Sequence, residues 1–182
     1  MTNNIMFKIL SLTDIYPSML ENFKHRQYIS TKWVKGGNGW ELTKASELRE
    51  WSDEKRIWIT QYLCQQIERG GYVAGAFYDN HMIGYAAVDG VLGGEYEKYA
   101  NLTMLFVDED WQRQGIGKEL FRMICQCATG IKAEKLFISA IPSYDTIAFY
   151  FNIGCSDAKE KIDNFVDTEN DRYLEYTLKV ED

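Results

Sequence analysis

The sequence is poor in the residues that build metal centres and disulfide frameworks. It contains only two histidines, His25 and His81, and four cysteines, none of them in a CxxC pair. Neither histidine lies at metal-ligand spacing from a cysteine, and isolated cysteines of this kind are typical of reduced thiols in cytosolic proteins. We therefore expect no bound metal, no disulfide framework and a cytoplasmic location.

Long hydrophobic runs and an excess of positive charge are also missing. No stretch approaches the roughly eighteen apolar residues of a membrane-spanning helix, and the first residues, MTNNIMFKIL, lack the pattern of a signal peptide. The 20 Lys and Arg residues are outnumbered by 27 Asp and Glu residues, which gives a net charge of −7. Nucleic-acid binding requires clustered Lys and Arg. We therefore expect no nucleic acid and no membrane as partners, whereas a cationic substrate is compatible with this charge.

Alternating strand and helix patterns fill the chain instead. Its 182 residues, 46% of them hydrophobic, suit one domain with a sizeable core. The segment YVAGAFYDNHMIGYAAVDG reads as a hairpin, and ANLTMLFV and EKLFISAI read as buried strands. Amphipathic helices are predicted at WSDEKRIWITQYLCQQIERGG, at QGIGKELFRMICQCA and at SYDTIAFYFNIG. The predicted fold class is α/β, with a central mixed sheet (α+β) flanked by helices on both faces.

Three further segments complete the expected order of elements. Helical spacing of apolar residues predicts a helix in SLTDIYPSMLENF. Residues 24–46 have no regular pattern, and the glycines of KGGNGW favour a mobile loop. The final segment DRYLEYTLKV alternates as a strand, and we expect it to pair in a hairpin with KIDNFV.

The stretch VDEDWQRQGIGKELF, residues 107–121, leads from an apolar strand through a glycine turn into an amphipathic helix. A dinucleotide-binding fingerprint requires a third glycine where the chain has Leu120, and a P-loop requires a glycine where it has Gln112. Converging backbone N–H groups and the positive end of the helix dipole nevertheless favour an anion at this turn. Two interpretations remain, a phosphate-binding loop and a strand-to-helix turn without a ligand.

The segment LTMLFVDEDWQRQGIGKELF resembles the acetyl-CoA-binding segment of the GNAT superfamily of N-acetyltransferases. Gln112, Gly115 and Gly117 occupy the fixed positions of its Q/R-x-x-G-x-G/A motif. IAFYFNIGC is similar to the later helix of that superfamily, with Phe149 and Tyr150 in place. The resemblance implies a GNAT-like acyl-CoA N-acyltransferase fold in a single domain. That domain would span residues 1–182, with a cofactor-binding core at 100–155 and a variable helical substrate-side insertion at 24–71.

The resemblance also implies acetyl-CoA as cosubstrate and a set of residues that bind it. Its pyrophosphate would lie on the N–H groups of residues 112–118, and the end of the preceding strand would diverge from EKLFISAI and expose amides to the pantetheine arm. Tyr150 would be the general acid that protonates the departing thiolate; the alternative is that Tyr150 only packs in the core. The implied cofactor contacts are Leu105, Phe106, Val107, Gln112, Arg113, Gln114, Gly115, Ile116, Gly117, Lys118 and Ser143.

Three positions depart from the superfamily pattern, and one of them, Cys155 in place of a phenylalanine, affects packing and not chemistry. Asn101 stands where some members carry a glutamate base, and an amide cannot act as a base. The base therefore stays open between Glu95, Glu97 and a water held by Asn101 or Thr103. Ser143 replaces an asparagine that contacts the cofactor in many members, and it would keep only part of that hydrogen bonding.

The implied reaction is direct transfer of an acetyl group to a primary amine of a small molecule. A protein lysine or N-terminal acetyltransferase, and a non-catalytic acyl-CoA-binding module, are the alternatives. The acceptor would bind residues 12–71 and the loop at 90–98. There the aromatic residues would either clamp a cationic amine or pack in the core: Tyr28, Trp33, Trp40, Trp51 and Trp58. An exposed edge strand near the C-terminus would allow a homodimer.

Overall fold

The computed structural model describes residues 4–179 as a seven-stranded mixed sheet with a separate two-stranded hairpin. The sheet strands are β1 (Met6–Ile9), β4 (Tyr72–Tyr78), β5 (His81–Val88), β6 (Tyr99–Val107), β7 (Lys135–Ala140), β8 (Ser156–Asp157) and β9 (Arg172–Thr177). The hairpin is β2 (Arg26–Gly36) and β3 (Gly39–Glu50), and the helices are α1 (Asp53–Glu68), α2 (Ile116–Gly130) and α3 (Tyr144–Asn152). The sheet order is β1-β4-β5-β6-β7-β9-β8, in which β6 and β7 run parallel and the other neighbours antiparallel.

Helices cover both faces of the sheet, as expected. On one face, called the α2 face, α2 and α3 pack on inward side chains such as Ala100 and Leu102 of β6. On the other, called the α1 face, α1 and residues 10–23 pack on β4 and β5. Tyr99 alternates with Ala100 along β6 and packs in one cluster with Phe137, Ile162 and Phe165, so residues 162–165 cover the α1 face beyond α1. The predicted mixed α/β sheet is confirmed.

The local signals at α1 and at the β4–β5 hairpin have their predicted effect. The Ser52 hydroxyl caps α1 by accepting a hydrogen bond from the Lys55 N–H at 3.1 Å. Asp79 and Asn80 join β4 to β5 with φ of 47° and 62°. Both lie in the left-handed region that a tight hairpin turn requires and that Asn and Asp tolerate.

The helix predicted in SLTDIYPSMLENF is wrong. The segment contains one 3-10 turn, Leu12–Asp14, followed by further turns. Pro17 has no N–H to donate and disfavours a helical residue before it, so an α-helix cannot run through this segment. Leu20 and Phe23 are nevertheless buried, which explains the apolar spacing that suggested a helix.

The irregular loop predicted at residues 24–46 is also wrong. The first half of the insertion at 24–71 is not helical either. Residues 26–50 form the long antiparallel hairpin β2–β3, and only the part after it is the helix α1. Alternating aromatic and β-branched residues in YISTKWV favour strand. The glycines supply the hairpin turn, where Gly39 has a φ of 115°.

The predicted pairing of KIDNFV with the last strand is wrong as well. That segment contains the 3-10 turn Asp163–Phe165, whereas β9 pairs with β7 on one side and with the two-residue strand β8 on the other. The apolar residues Ile162 and Phe165 are buried against the sheet without joining it. The edge of the sheet near the C-terminus is therefore short. Within residues 4–179, no helix has the length and apolar character needed to cross a membrane.

Candidate active site

β6 and β7, the central parallel strands, pair over only part of their length. Their register ends at Asn101↔Phe137, and beyond this point the two strands no longer pair with each other. On the β5 side, a bulge in β6 leaves Thr103 without a residue opposite it in the register. A bulge of this kind bends the strand in which it occurs. Residues 102–107 and 138–140 therefore diverge, as the resemblance implied. This opening is called the β6–β7 gap below.

The glycine turn before α2 presents free N–H groups at the end of β6. Arg113 and Gly115 have φ of 59° and 84°, and Gly115 is the N-cap of the helix. The Glu119 N–H donates to the Gly115 carbonyl at 3.1 Å. The N–H groups of residues 116–118 precede that hydrogen bond and point out of the helix end, where its dipole is positive. The turn therefore has the geometry of an anion site.

The second glycine of the turn is needed for packing. A Cβ at Gly117 would lie 3.3 Å from the Phe149 ring and 3.6 Å from Val107 Cγ2. Gln112 donates from Nε2 to the Val107 carbonyl at 3.2 Å, which ties the turn to the end of β6. The motif residues of the turn and the later helix α3 are thus brought together at one end of the gap.

Tyr150 lies in α3 with 7% of its surface exposed. Its ring packs edge-on against Phe149, with centroids 5.2 Å apart, and against Phe121. Burial raises the pKa of the Tyr150 phenol, and the neighbouring Cys155 raises it further. The phenol is therefore protonated at neutral pH, which a general acid requires.

Ser143, the remaining predicted cofactor contact, is committed to structure. It is 3% exposed and caps α3, accepting from the Thr146 N–H at 3.2 Å and donating to Thr146 Oγ1 at 2.7 Å. Gln27 of β2 also donates to the Ser143 hydroxyl at 3.2 Å. The serine that replaces the usual asparagine therefore holds α3 and the hairpin rather than offering a free side chain.

The β2–β3 hairpin spans the gap from one strand end to the other. At the end of β6, the Lys24 N–H donates to Asp108 Oδ2 at 2.8 Å. At the end of β7, the Trp33 N–H donates to the Pro142 carbonyl at 2.7 Å, and Lys32 forms a β-bridge with Ser143. The hairpin lies where the substrate-side insertion was expected.

On the α1 face, polar side chains approach the gap from three elements. Asn101 of β6 is 8% exposed, and its Oδ1 is buried without a hydrogen-bond partner among the described residues. Ser139 of β7 donates to Asp171 Oδ2 at 2.8 Å and accepts from the Asp167 N–H at 3.1 Å. On α1, burial raises the pKa of Tyr62, which interacts with Thr103 and with Asp167.

Sequence reasoning missed the segment that carries Asp167 and Asp171. The acidic run DTEND was interpreted as a hairpin turn, whereas it brings the Asp171 carboxylate and the Asp167 N–H against Ser139 of β7 beside the gap. The signal available was that polar Ser139 interrupts an otherwise apolar strand, since a buried hydroxyl requires partners.

Two candidate bases from the sequence lie at the other end of the strands. Glu97 pairs with Lys135 at 2.6 Å, and Lys135 stands at the paired start of β7. Glu95 donates its N–H to Glu160 on the exposed loop beside it. The loop at 90–98 therefore adjoins the closed end of β6–β7 and not the gap.

The aromatic residues of the insertion divide into separate roles. Trp33 and Trp40 do flank a cation, but it is the guanidinium of Arg172 at 4.9 and 5.1 Å from the ring centroids. Trp51 packs against Phe106 of β6, with ring centroids 4.9 Å apart. Trp58 is exposed, stacks on Tyr62 and lies under the Lys55 ammonium, while Tyr28 is exposed on the hairpin.

A mixed sheet with parting parallel strands, beside a glycine turn into a helix, defines a GNAT-like fold. Residues 38–154 match the model of the acetyltransferase (GNAT) family. The chain belongs to this family, and the resemblance recognised in the two sequence motifs is confirmed.

Solved structures support the same fold over nearly the whole chain. Nourseothricin acetyltransferase aligns at 13% identity with a TM-score of 0.68, covering 96% of this chain and 99% of that one. A putative streptothricin acetyltransferase from Bacillus anthracis str. Ames in complex with acetyl coenzyme A aligns at 15% identity, with the same coverages and a TM-score of 0.66. PaiA N-acetyltransferase from Thermoplasma acidophilum in complex with coenzyme A aligns at 16% identity, again over 96% and 99%, with a TM-score of 0.61. No curated protein matches the chain.

Proposed function

We propose that this protein transfers the acetyl group of acetyl-CoA to a primary amine of a small molecule, by direct attack within a ternary complex. The observation that carries the proposal is the parting of β6 from β7 after Asn101, next to the N–H groups at the start of α2. The unpaired strand amides suit the pantetheine arm, and the helix start suits the pyrophosphate. Residues 105–107, 112–118 and Ser143 are the proposed cofactor contacts, within a proposed single domain over residues 1–182.

Two groups supply the chemistry of the proposed transfer. Amides of β6 in the gap donate to the thioester oxygen and stabilise the oxyanion that forms when the amine attacks. Tyr150 then gives its proton to the departing thiolate; its raised pKa means that the phenol carries this proton at neutral pH. No covalent intermediate on the enzyme is needed.

The hairpin favours a small acceptor over a folded protein. β2 crosses the gap, held by Trp33 at the end of β7 and by Lys24, two residues before the strand begins, at the end of β6. A strand across the opening narrows access from that side, which suits a compact amine better than a protein surface. The names of two solved neighbours, nourseothricin and streptothricin acetyltransferase, are consistent with this choice. We propose a cytoplasmic location, which suits the four unpaired thiols, and leave the homodimer as a proposal.

A coupled assay tests the reaction. Release of free CoA thiol is measured with acetyl-CoA and spermidine, L-lysine, kanamycin or a lysine-containing peptide, and calorimetry measures CoA binding separately. We expect CoA binding and transfer to at least one of the three small amines. Transfer to the peptide alone would favour a protein acetyltransferase. CoA binding without any transfer would favour a binding module that lost its base at Asn101.

A further inference from the structure

The proposed reaction requires a group that takes a proton from the ammonium, and β6 does not supply it. Asn101, Thr103 and Ser139 approach the gap from β6 and β7, and none of them has a basic side chain. Glu95 and Glu97 adjoin the paired end of these strands. A carboxylate would have to reach the gap from another element.

We propose that Asp167 is this carboxylate, which binds the acceptor's ammonium on the α1 face of the gap and takes its proton. The assignment rests on the proposed acetyl transfer and deepens it by naming the acid–base group of the acceptor side. It also defines the acceptor as a primary amine that arrives as an ammonium ion.

Register places Asp167 beside the gap. Phe165 packs against Phe137, the last residue of β7 that pairs with β6. Two residues further along both segments, the Asp167 N–H donates to Ser139 Oγ at 3.1 Å. Because side chains alternate along a strand, Ser139 faces the same side as Phe137 and stands where β6 has already turned away. Asp167 is thus held over the open part of the sheet.

The two carboxylates of this loop have different surroundings. Both oxygens of Asp171 accept hydrogen bonds, from Ser139 at 2.8 Å and from Thr168 Oγ1 at 3.0 Å. Asp171 is therefore a positioning residue. Asp167 is exposed, and its carboxylate accepts no hydrogen bond and forms no ion pair within residues 4–179, so it stays available to a ligand.

A second, independent feature of the gap also calls for a hydrogen-bond donor. Asn101 is 8% exposed, and its Oδ1 has no donor among the described residues. Asn101 alternates with Ala100 and Leu102, which face α2, so its side chain faces the α1 side, as do Ser139 and Asp167. A buried carbonyl without a partner costs free energy unless a ligand or water donates to it. An ammonium carries three donors, enough for Asp167 and Asn101 together.

The electrostatic setting of Asp167 suits proton uptake. Partial burial of its carboxylate raises its pKa, Asp171 raises it further, and Lys55 opposes them. Tyr62 on α1 also faces it, while the neighbouring side chains of β6 and β7, Thr103 and Ser139, are uncharged. A carboxylate with a raised pKa is a better base.

The proton and electron balance of the step is complete. One ammonium proton moves to Asp167, and the nitrogen lone pair then forms the C–N bond to the acetyl carbon. The C–S bond breaks with its electron pair on sulfur, which is protonated by Tyr150. The second nitrogen proton passes to solvent as the amide forms. Asp167 then releases its proton to solvent and Tyr150 takes one from it, so that one proton is released per turnover.

Asp167→Asn is the decisive variant, and Asp163→Asn is its control. Asp163 lies four residues earlier on the same loop, 84% exposed, and pairs only with Lys161 on the surface. With the best amine of the panel, we expect kcat/KM to fall about a hundredfold in Asp167→Asn, the low end of general-base effects. CoA affinity measured by calorimetry should not change. Asp163→Asn should leave both unchanged, and Asp167→Glu should recover part of the activity.

The pH profile distinguishes proton transfer from a structural effect. In the wild type, kcat/KM should fall as the pH drops through the raised pKa of Asp167, and this acidic limb should vanish in Asp167→Asn. Unchanged kcat/KM in Asp167→Asn would overturn the assignment while the acetyl transfer stands. Acetyl-CoA binding without transfer to any amine of the panel would overturn the transfer and the assignment together.

Discussion

The two ends of the β6–β7 pair differ in how completely their polar groups are satisfied. At the paired end, Lys135 contacts Glu175 and Glu97 at 2.9 and 2.6 Å, and Tyr99 donates to Glu175 at 2.8 Å. At the open end, Asn101 Oδ1 is buried without a partner in the described part of the chain. The same two strands thus carry a closed ion network at one end and unmet hydrogen-bonding capacity at the other. The paired end therefore stabilises the sheet, whereas the open end has the free capacity that the proposed acceptor would use.

Removing Lys135 should destabilise the ion network at the paired end of β6 and β7. In Lys135→Met, the Glu175 carboxylate, 4% exposed, would remain buried without its cation. Breaking a buried pair in this way costs about 3–5 kcal/mol. We expect that loss in urea unfolding followed by circular dichroism. The control is Lys161→Met on the surface, where the exposed pair with Glu169 is screened by solvent and should contribute little. Equal losses in both variants would contradict a special role for the buried network.

Tyr150→Phe should have the opposite profile, a large loss of rate with little loss of stability. The substitution keeps the ring packing against Phe149 and removes only the hydroxyl. Loss of a general acid lowers kcat by about a hundredfold or more. Single-turnover acetyl transfer would measure this loss, and thermal unfolding should change little. The control is Tyr144→Phe, on the same helix with an exposed ring. Full turnover by Tyr150→Phe across the pH range would exclude the proton-donor role.

Lowering the pH from neutral should destabilise the protein through the Glu175 carboxylate at the paired end. Burial alone would raise the pKa of Glu175, but hydrogen bonds from Lys135, from the Lys159 N–H and from Tyr99 bring it below its ordinary value. A depressed carboxyl pKa contributes stability above the unfolded-state value, and this stability is lost as the pH falls through the folded-state value. Urea midpoints measured between pH 7 and pH 3 should therefore decline, and the decline should be shallower in Glu175→Gln. Parallel curves for the two proteins would contradict the contribution of this carboxylate.

The cofactor side of the open end could be predicted from the sequence better than the acceptor side. The glycine turn at Gly115 and Gly117 was recognisable because its residues are consecutive and its backbone conformation requires glycine at a positive φ. The acceptor side was not, because its parts meet only through tertiary packing. Asp167 reaches Ser139 across 28 residues of sequence, and nothing in DTEND indicates that contact. The hairpin β2–β3 was missed because its glycines were taken as a sign of mobility, although they form the turn that strands on both sides require.

Asn101→Leu should change stability and activity the least, but it is the most discriminating variant. A ligand-binding role and a structural role of this side chain predict opposite results for the free energy of unfolding and the KM. Leucine keeps the branching at Cγ and removes a buried carbonyl that has no partner among the described residues. If that carbonyl is kept for a ligand, its replacement should leave the free energy of unfolding unchanged or raise it by about 1 kcal/mol. The KM for the amine should meanwhile rise about tenfold, which is the loss of one hydrogen bond to a charged group. Urea unfolding and acceptor titrations at saturating acetyl-CoA measure the two quantities, with Leu102→Met on the opposite face of β6 as a control. A loss of stability with an unchanged KM would mean that Asn101 serves the fold, and the open end would then resemble the paired one.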